Sequence, residues 1–229
     1  MYKGELKNKT FLPYVVAVLL FVFACFLQQI DDFIVNWNIN KFIVLISQCI
    51  FFGILIYWIV SVINRVSDES IKSGLATTII LMSSLMFLKL VKYNVIYDKT
   101  AERYFWYSYY IPQCLAPVVL SLTILKMGKK SERSLSSYWN LLYIPAILLI
   151  IFVFTNDLHE QVFSFSEGLE NANVIYKWEW GYYVILGWVL SLYLADGVIL
   201  FVKCRISYCR KNAWIPLVLF IVCLSCCIL

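Results

Sequence analysis

Charge is scarce in this sequence: only 14% of its 229 residues are Asp, Glu, Lys or Arg, where a soluble domain carries about 25%. Too few charged side chains remain to cover a water-exposed surface, which excludes an ordinary soluble globular protein. Histidine is scarcer still, with His159 standing alone. A second imidazole is therefore missing for any H-E-x-x-H zinc site, because Glu160 is followed by Gln161, Val162 and Phe163. No stretch between apolar runs exceeds about 25 residues, so there is no room for a soluble catalytic domain. Glycine-rich phosphate loops, kinase motifs, catalytic-triad patterns and a clear inverted repeat of the transporter kind are all missing.

What is present is apolar: 62% of the residues are hydrophobic. Seven apolar segments stand out, at about 11–29, 42–63, 75–91, 106–125, 140–154, 180–202 and 213–229. Six have the length needed to cross a hydrocarbon layer about 30 Å thick, and 140–154 comes within a few residues of it. Unalternating apolar runs must close their backbone hydrogen bonds internally, which predicts helices and rules against a β-barrel. The expected fold is all-α, a polytopic transmembrane helix bundle of about seven spans, with the lipid bilayer as its surroundings.

The eight cysteines do not read as a disulfide framework. Six lie inside apolar runs, where a free thiol behaves as a small hydrophobe, and "CLSCC" (223–227) has no polar surroundings to make it a metal site. The net charge of +5 does not point to nucleic acid either, because the basic residues sit at span ends. Assigning alternate connections to opposite sides puts thirteen Lys and Arg on one side and six on the other. The richer side carries the 1–10 tail and the connections near Arg65, Lys129 and Arg205, and is predicted to be cytoplasmic. The N-terminus is then inside and the 154–179 connection outside. The first span, ending "FLQQIDDF", lacks a small-residue cleavage site and reads as an uncut anchor. The chain stops in "LFIVCLSCCIL", still apolar, and the expectation is a region truncated at its C-terminus or a stand-alone protein.

Three groups of residues could carry function. The first is "TNDLH" (155–159) with its neighbouring acids. Asp157, Glu160, Glu167 and Glu170 do not match an EF-hand spacing, and His159 has no evident nucleophile beside it. His159 either contacts a ligand or seats a helix end. The second is Asp196 in "LYLADGVIL", well inside a span, where a carboxylate is costly unless paired or hydrated. Gln48, Gln113 and Asn64 are the candidate partners. The third is the proline set, Pro112, Pro117, Pro145 and Pro216, expected to break helical hydrogen bonds and kink their spans. Aromatic residues crowd "RYFWYSYYIP" (103–112) and "YKWEWGYY" (176–183), as an interfacial belt or the lining of an outward-facing pocket.

The stretches "VKYNVIYDKTAERYFWYSYYIPQCLAPVVL", "LLYIPAILLIIFVFTNDLHEQVFSF", "WGYYVILGWVLSLYLADGVILFVKCRI" and "WIPLVLF", in that order, resemble the N-terminal seven-transmembrane sensor region of bacterial histidine kinases. The resemblance covers roughly residues 40–229, leaving 11–39 as an additional N-terminal helix and outer connection. It implies a membrane-embedded sensor of a two-component system in a bacterial plasma membrane. Such a region responds to an extracellular or membrane-borne signal and acts on a cytoplasmic kinase output domain, in a longer parent or in trans, with a homodimer allowed. On that resemblance Thr155, Asn156, Asp157, Leu158 and His159 are candidates for the sensing face, joined by Arg103, Trp106 and Tyr110 from the aromatic entry. No phosphoacceptor segment or ATP-binding motif is present, so this chain is expected to be no enzyme and to need no cofactor or metal. The alternative is a small membrane transporter or channel subunit centred on Asp196 and the proline-kinked helices.

Overall fold

Helix dominates because the apolar runs leave the backbone no partner but itself. The structure, a computed structural model, describes residues 37–94, 98–127, 135–165 and 176–204, together with residues 20, 23, 24 and 96. The chain divides into two units, Met1–Val60 and Ser61–Leu229. The first unit holds most of α1, which runs Trp37–Arg65 and has no acidic residue in its first turn.

The second unit contains α2 (Glu69–Asn94), α3 (Lys99–Ser108), α4 (Tyr110–Lys126), a 3-10 turn (Ser137–Leu142), α5 (Tyr143–Phe154), the single-turn α6 (Asn156–His159) and α7 (Trp180–Cys204). A two-residue antiparallel pair, β1 (Phe163–Ser164) with β2 (Lys177–Trp178), sets Phe163 opposite Trp178. Helix starts follow local chemistry. Asp68 accepts from the backbone N–H groups of Ser70 (3.0 Å) and Ile71 (3.2 Å) ahead of α2. Asp98 accepts from Ala101 N–H (2.8 Å) ahead of α3. Both are N-caps satisfying donors that the first turn leaves orphaned.

Five segments are long and apolar enough to cross a membrane: Leu45–Asn64, Glu69–Lys92, Lys99–Lys126, Ser137–Phe154 and Trp180–Lys203. They coincide with five of the seven apolar segments of the sequence. The segment 11–29 is described only at residues 20, 23 and 24, and the segment 213–229, with Pro216, lies outside the described residues. The third described span starts at Lys99, seven residues ahead of the sequence expectation. The charges at Lys99, Glu102 and Arg103 mask this start, because α3 is amphipathic and buries Arg103 and Tyr107 on one side.

The prolines require a correction. Pro112 and Pro145 are the third residues of α4 and α5, in first turns, where a missing N–H costs less than it does in mid-helix. Pro117 alone is inside a described helix. Pro112 still leaves a mark: without its N–H the carbonyl of Ser108 loses a helical donor, and α3 gives way to α4 at the Tyr109 turn.

Within this unit α4 packs against α2, α5 and α7 and is the most buried of the spans, whereas the Ser137–Phe154 span is mostly exposed. Ile144, Ile147, Leu148 and Ile151 lie open along α5, as suits a helix facing hydrocarbon. Gly74 of α2 admits Thr123 of α4 so closely that an added Cβ would collide with its Oγ1. Small residues let membrane helices approach in this way. Hydroxyls inside the spans turn back on their own helices: Thr78 donates to Gly74 O (3.0 Å), Ser83 to Ile79 O (2.9 Å) and Thr123 to Val119 O (2.7 Å). Each is thereby satisfied without a partner helix.

Candidate functional site

The chain leaves α5 at Phe154 and makes a tight hook through residues 155–163 before pairing with β2. Thr155 opens it by donating Oγ1 to Ile151 O (2.9 Å), and its N–H bonds the same carbonyl (2.9 Å). Glu160 closes it in the left-handed conformation (φ 49°), with its N–H on Asn156 O (2.8 Å). Such a backbone is uncommon for a residue with a Cβ.

Asn156 is the pivot and is fully buried. Its Oδ1 accepts the N–H groups of Val162 (2.9 Å) and Phe163 (3.0 Å). Its Nδ2 donates to Phe163 O (2.9 Å) and to the Tyr107 hydroxyl (3.3 Å). Two donors and two lone pairs are all that an amide side chain offers. An aspartate has no donor for Phe163 O, so the position selects asparagine.

Asp157 faces α3. Arg103 Nη2 lies 3.0 Å from its Oδ2, and Tyr107 donates its hydroxyl to Oδ1 at 2.7 Å. Tyr107 thus accepts from Asn156 and donates to Asp157, joining the two residues. Arg103 and Tyr107, four apart, share one face of α3, which brings the guanidinium and the phenol to the same carboxylate. Charge-assisted bonds of this kind are the stronger class.

Among the described residues, His159 belongs to no group of side chains that could hold a metal ion. The backbone N–H of Gln161 donates to its Nδ1 (3.0 Å), so that nitrogen carries no proton. Its Nε2 lies 3.2 Å from Phe152 O and 3.3 Å from Thr155 Oγ1, and a carbonyl can only accept, so Nε2 holds the hydrogen. The ring stacks on Phe152 with centroids 4.6 Å apart. Of the two roles open from sequence, seating a helix end is the one these contacts describe. Leu158 is exposed and takes no part in the network.

Around the network lies an aromatic cluster. Trp106 contacts Phe163 (4.4 Å between centroids) and Tyr176 (4.8 Å), Tyr110 contacts Phe163 (5.9 Å), and Trp178 stacks on Tyr182 (4.9 Å). Lys92 places Nζ 5.8 Å from the Trp106 ring and 3.8 Å from Glu102. The rings of 103–112 and 176–183 therefore pack on one another through Phe163.

Asp196 lies apart from this site, on the α7 face that also buries Ile185, Val189, Tyr193 and Leu200. It is fully buried, and Ser121 of α4 is the polar side chain facing its carboxyl group. Gln113, a candidate partner from sequence, is eight residues before Ser121, about 12 Å along the helix. Asn64 is exposed. Seven residues beyond Asp196, Lys203 donates Nζ to Ile124 O (2.6 Å), Leu125 O (3.0 Å) and Met127 O (2.6 Å). It covers the carbonyls that the end of α4 leaves open.

The structure thus gathers Arg103, Trp106, Tyr110, Asn156, Asp157 and His159 at one end of the unit and leaves Asp196 elsewhere. Sequence reasoning missed Tyr107, Phe163, Gly181, Ser121 and Lys203. Tyr107 was within reach, one helical turn from Arg103. Lys203 carried only a topology signal, because its partners are backbone atoms distant in sequence. Among the described residues no group of three or more His, Cys, Asp or Glu side chains is placed to hold a metal ion. No family model, curated protein or solved structure matches the chain.

Proposed function

We propose that this chain is the membrane-embedded sensor of a bacterial signal-transducing histidine kinase, acting on a kinase output domain in a longer parent or in trans. The observation that carries the reading is the Arg103–Asp157–Tyr107–Asn156 network, which ties the hook after α5 to α3 at one end of the helices. At the far end of α4, Lys203 of α7 holds the terminal carbonyls. A ligand that favours one arrangement of the hook would bias α3 and α4, and through α4 the Lys203 contact. Such a shift is limited by the ligand's differential affinity for the two arrangements. The hook end would face outward and the Lys203 end the cytoplasm, as the charge distribution predicts.

In an intact kinase parent, Thr155→Ala, Asp157→Asn and His159→Ala should each impair signal-dependent autophosphorylation while membrane insertion stays normal. Full signalling by all three variants would remove the motif from the mechanism.

A second reading, a small transporter or channel subunit, is favoured by one observation: the carboxyl of Asp196 buried beside the Ser121 hydroxyl. It predicts solute flux in liposomes that Asp196→Asn abolishes.

A further inference from the structure

We propose that His159 makes the 155–163 hook a proton-sensitive latch: the seated hook requires a bare Nδ1, and a proton taken up there releases the Gln161 backbone and loosens the start of α7. The inference deepens the sensor reading by naming the proton as a signal at that site. Its meaning rests on that reading, but its chemistry does not.

The requirement follows from the partners. Gln161 N–H can only donate, and it points at Nδ1 from 3.0 Å. Nε2 is already occupied in donating toward Phe152 O at 3.2 Å. A second ring proton can therefore go only to Nδ1, where it would meet another donor. The ring itself has reason to stay: it is stacked face to face on Phe152, 4.6 Å away and tilted by 14°, and a charged ring over an aromatic face is attracted to it. The Gln161 amide is the part that must turn away.

Gln161 is also a support for α7. Its carbonyl accepts the N–H of Gly181 at 3.0 Å, and the next residue's carbonyl, Val162 O, accepts from Glu179 at 3.0 Å. A Cβ on Gly181 would come within 2.7 Å of Gln161 O and 2.6 Å of the Phe152 ring. Trp180 packs on the other side of this contact, 5.7 Å from Phe152. The Gln161 N–H lies in the 160–161 peptide and its carbonyl in the 161–162 peptide, joined at one Cα, so the latch would act on Gly181 through a displacement of the Gln161 backbone.

The surrounding charges do not already hold a protonated ring. On its own turn, Asp157 is engaged by Arg103 of α3 and by Tyr107, and Glu160 is exposed. From the segment leading into α7, Glu179 accepts from Ser164 Oγ at 2.7 Å, and Lys177 is exposed. The α5 side presents Phe152, which is uncharged. Among the described residues no carboxylate forms an ion pair with the imidazole.

The test uses the whole chain in lipid nanodiscs. Because His159 is the single histidine, 15N-histidine labelling reports on it alone. Before acidification its spectrum should be that of the neutral Nε2–H form, and after it that of the doubly protonated ring. Hydrogen exchange at Gln161 and Gly181, corrected for intrinsic rates, should then accelerate about fivefold or more at the lower pH, the loss of one ordinary hydrogen bond. His159→Gln supplies an amide oxygen and an amide donor but cannot titrate, so its exchange should not respond to pH. An Nδ1–H form at the higher pH, an unresponsive wild type, or an equal response in His159→Gln would each overturn the latch. None of these readouts needs a kinase, so a failed signalling assay with a working latch would count against the sensor reading alone.

Discussion

Asn156 and Asp157 are adjacent in sequence yet are held by different physics, and their substitutions should separate. Asn156→Ala strands two backbone N–H groups, a carbonyl and the Tyr107 hydroxyl in a buried site. The expected loss is about 2–4 kcal/mol, at about 1 kcal/mol per bond plus desolvation of the orphaned groups. Asn156→Asp should fare little better, because it keeps the acceptor and removes the donor. For the ion pair, removing Arg103 leaves a part-buried Asp157 held by Tyr107 alone, so Arg103→Ala should cost about 1–3 kcal/mol. The double variant Arg103→Met with Asp157→Leu should recover part of that loss. Denaturant unfolding in mixed micelles measures all four, and a strictly additive double variant would show that the two side chains are uncoupled. Asp196 should behave in the opposite sense. A buried carboxyl with a single hydroxyl beside it is poorly compensated, so Asp196→Leu is expected to raise stability by about 1–3 kcal/mol. A gain in stability with loss of function would mark a residue kept for its activity.

At the scale of elements, α4 is the helix on which the others depend. Its contact with α2 turns on Gly74, where a side chain would meet Thr123. Gly74→Val should therefore separate the two helices and cost about 1–3 kcal/mol, as overpacked cores do. Gly74→Ala should be partly rescued by Thr123→Ala, which clears Oγ1 but leaves the Thr123 Cβ, 3.1 Å from the new methyl group, in place. Thermal unfolding of the single and paired variants reads this directly. Lys203 closes the far end of α4 by bonding three carbonyls. Lys203→Met keeps the apolar stem and removes the donors, so hydrogen exchange should accelerate over the last turn of α4 while its first turn stays protected. Uniform acceleration along α4 would mean that Lys203 supports the packing of the whole helix and not its end alone.

For the whole molecule, the charge distribution predicts which side each connection faces. A reporter active only outside the cell should be bright when fused after Glu170 and silent after Lys130, and the reverse pattern would invert the assignment. The five described spans were legible in the sequence because hydrocarbon imposes a length and a polarity that composition cannot hide. The start of the third was not, because α3 mixes Lys99, Glu102 and Arg103 with its aromatics. These charges suggest a connection until the burial of Arg103 against the hook is known. Likewise "TNDLH" was recognisable as a motif, but its roles were not. His159 serves the backbone of Gln161, and Asp157 serves residues fifty positions away.

By itself the sequence determined that this chain is made of apolar helices, where five of them run, and that no two-histidine metal chemistry is open to it. Those properties depend on composition and on spacing along one helix, which are local. The tertiary structure decided what the polar residues do. It gave Asn156 four partners, sent Asp157 to Arg103 and Tyr107, turned Lys203 onto α4, and left Asp196 with only Ser121 beside it. In a low-dielectric interior each buried polar group must find its partner across space, and which partner it meets is set by helix packing that no single segment encodes.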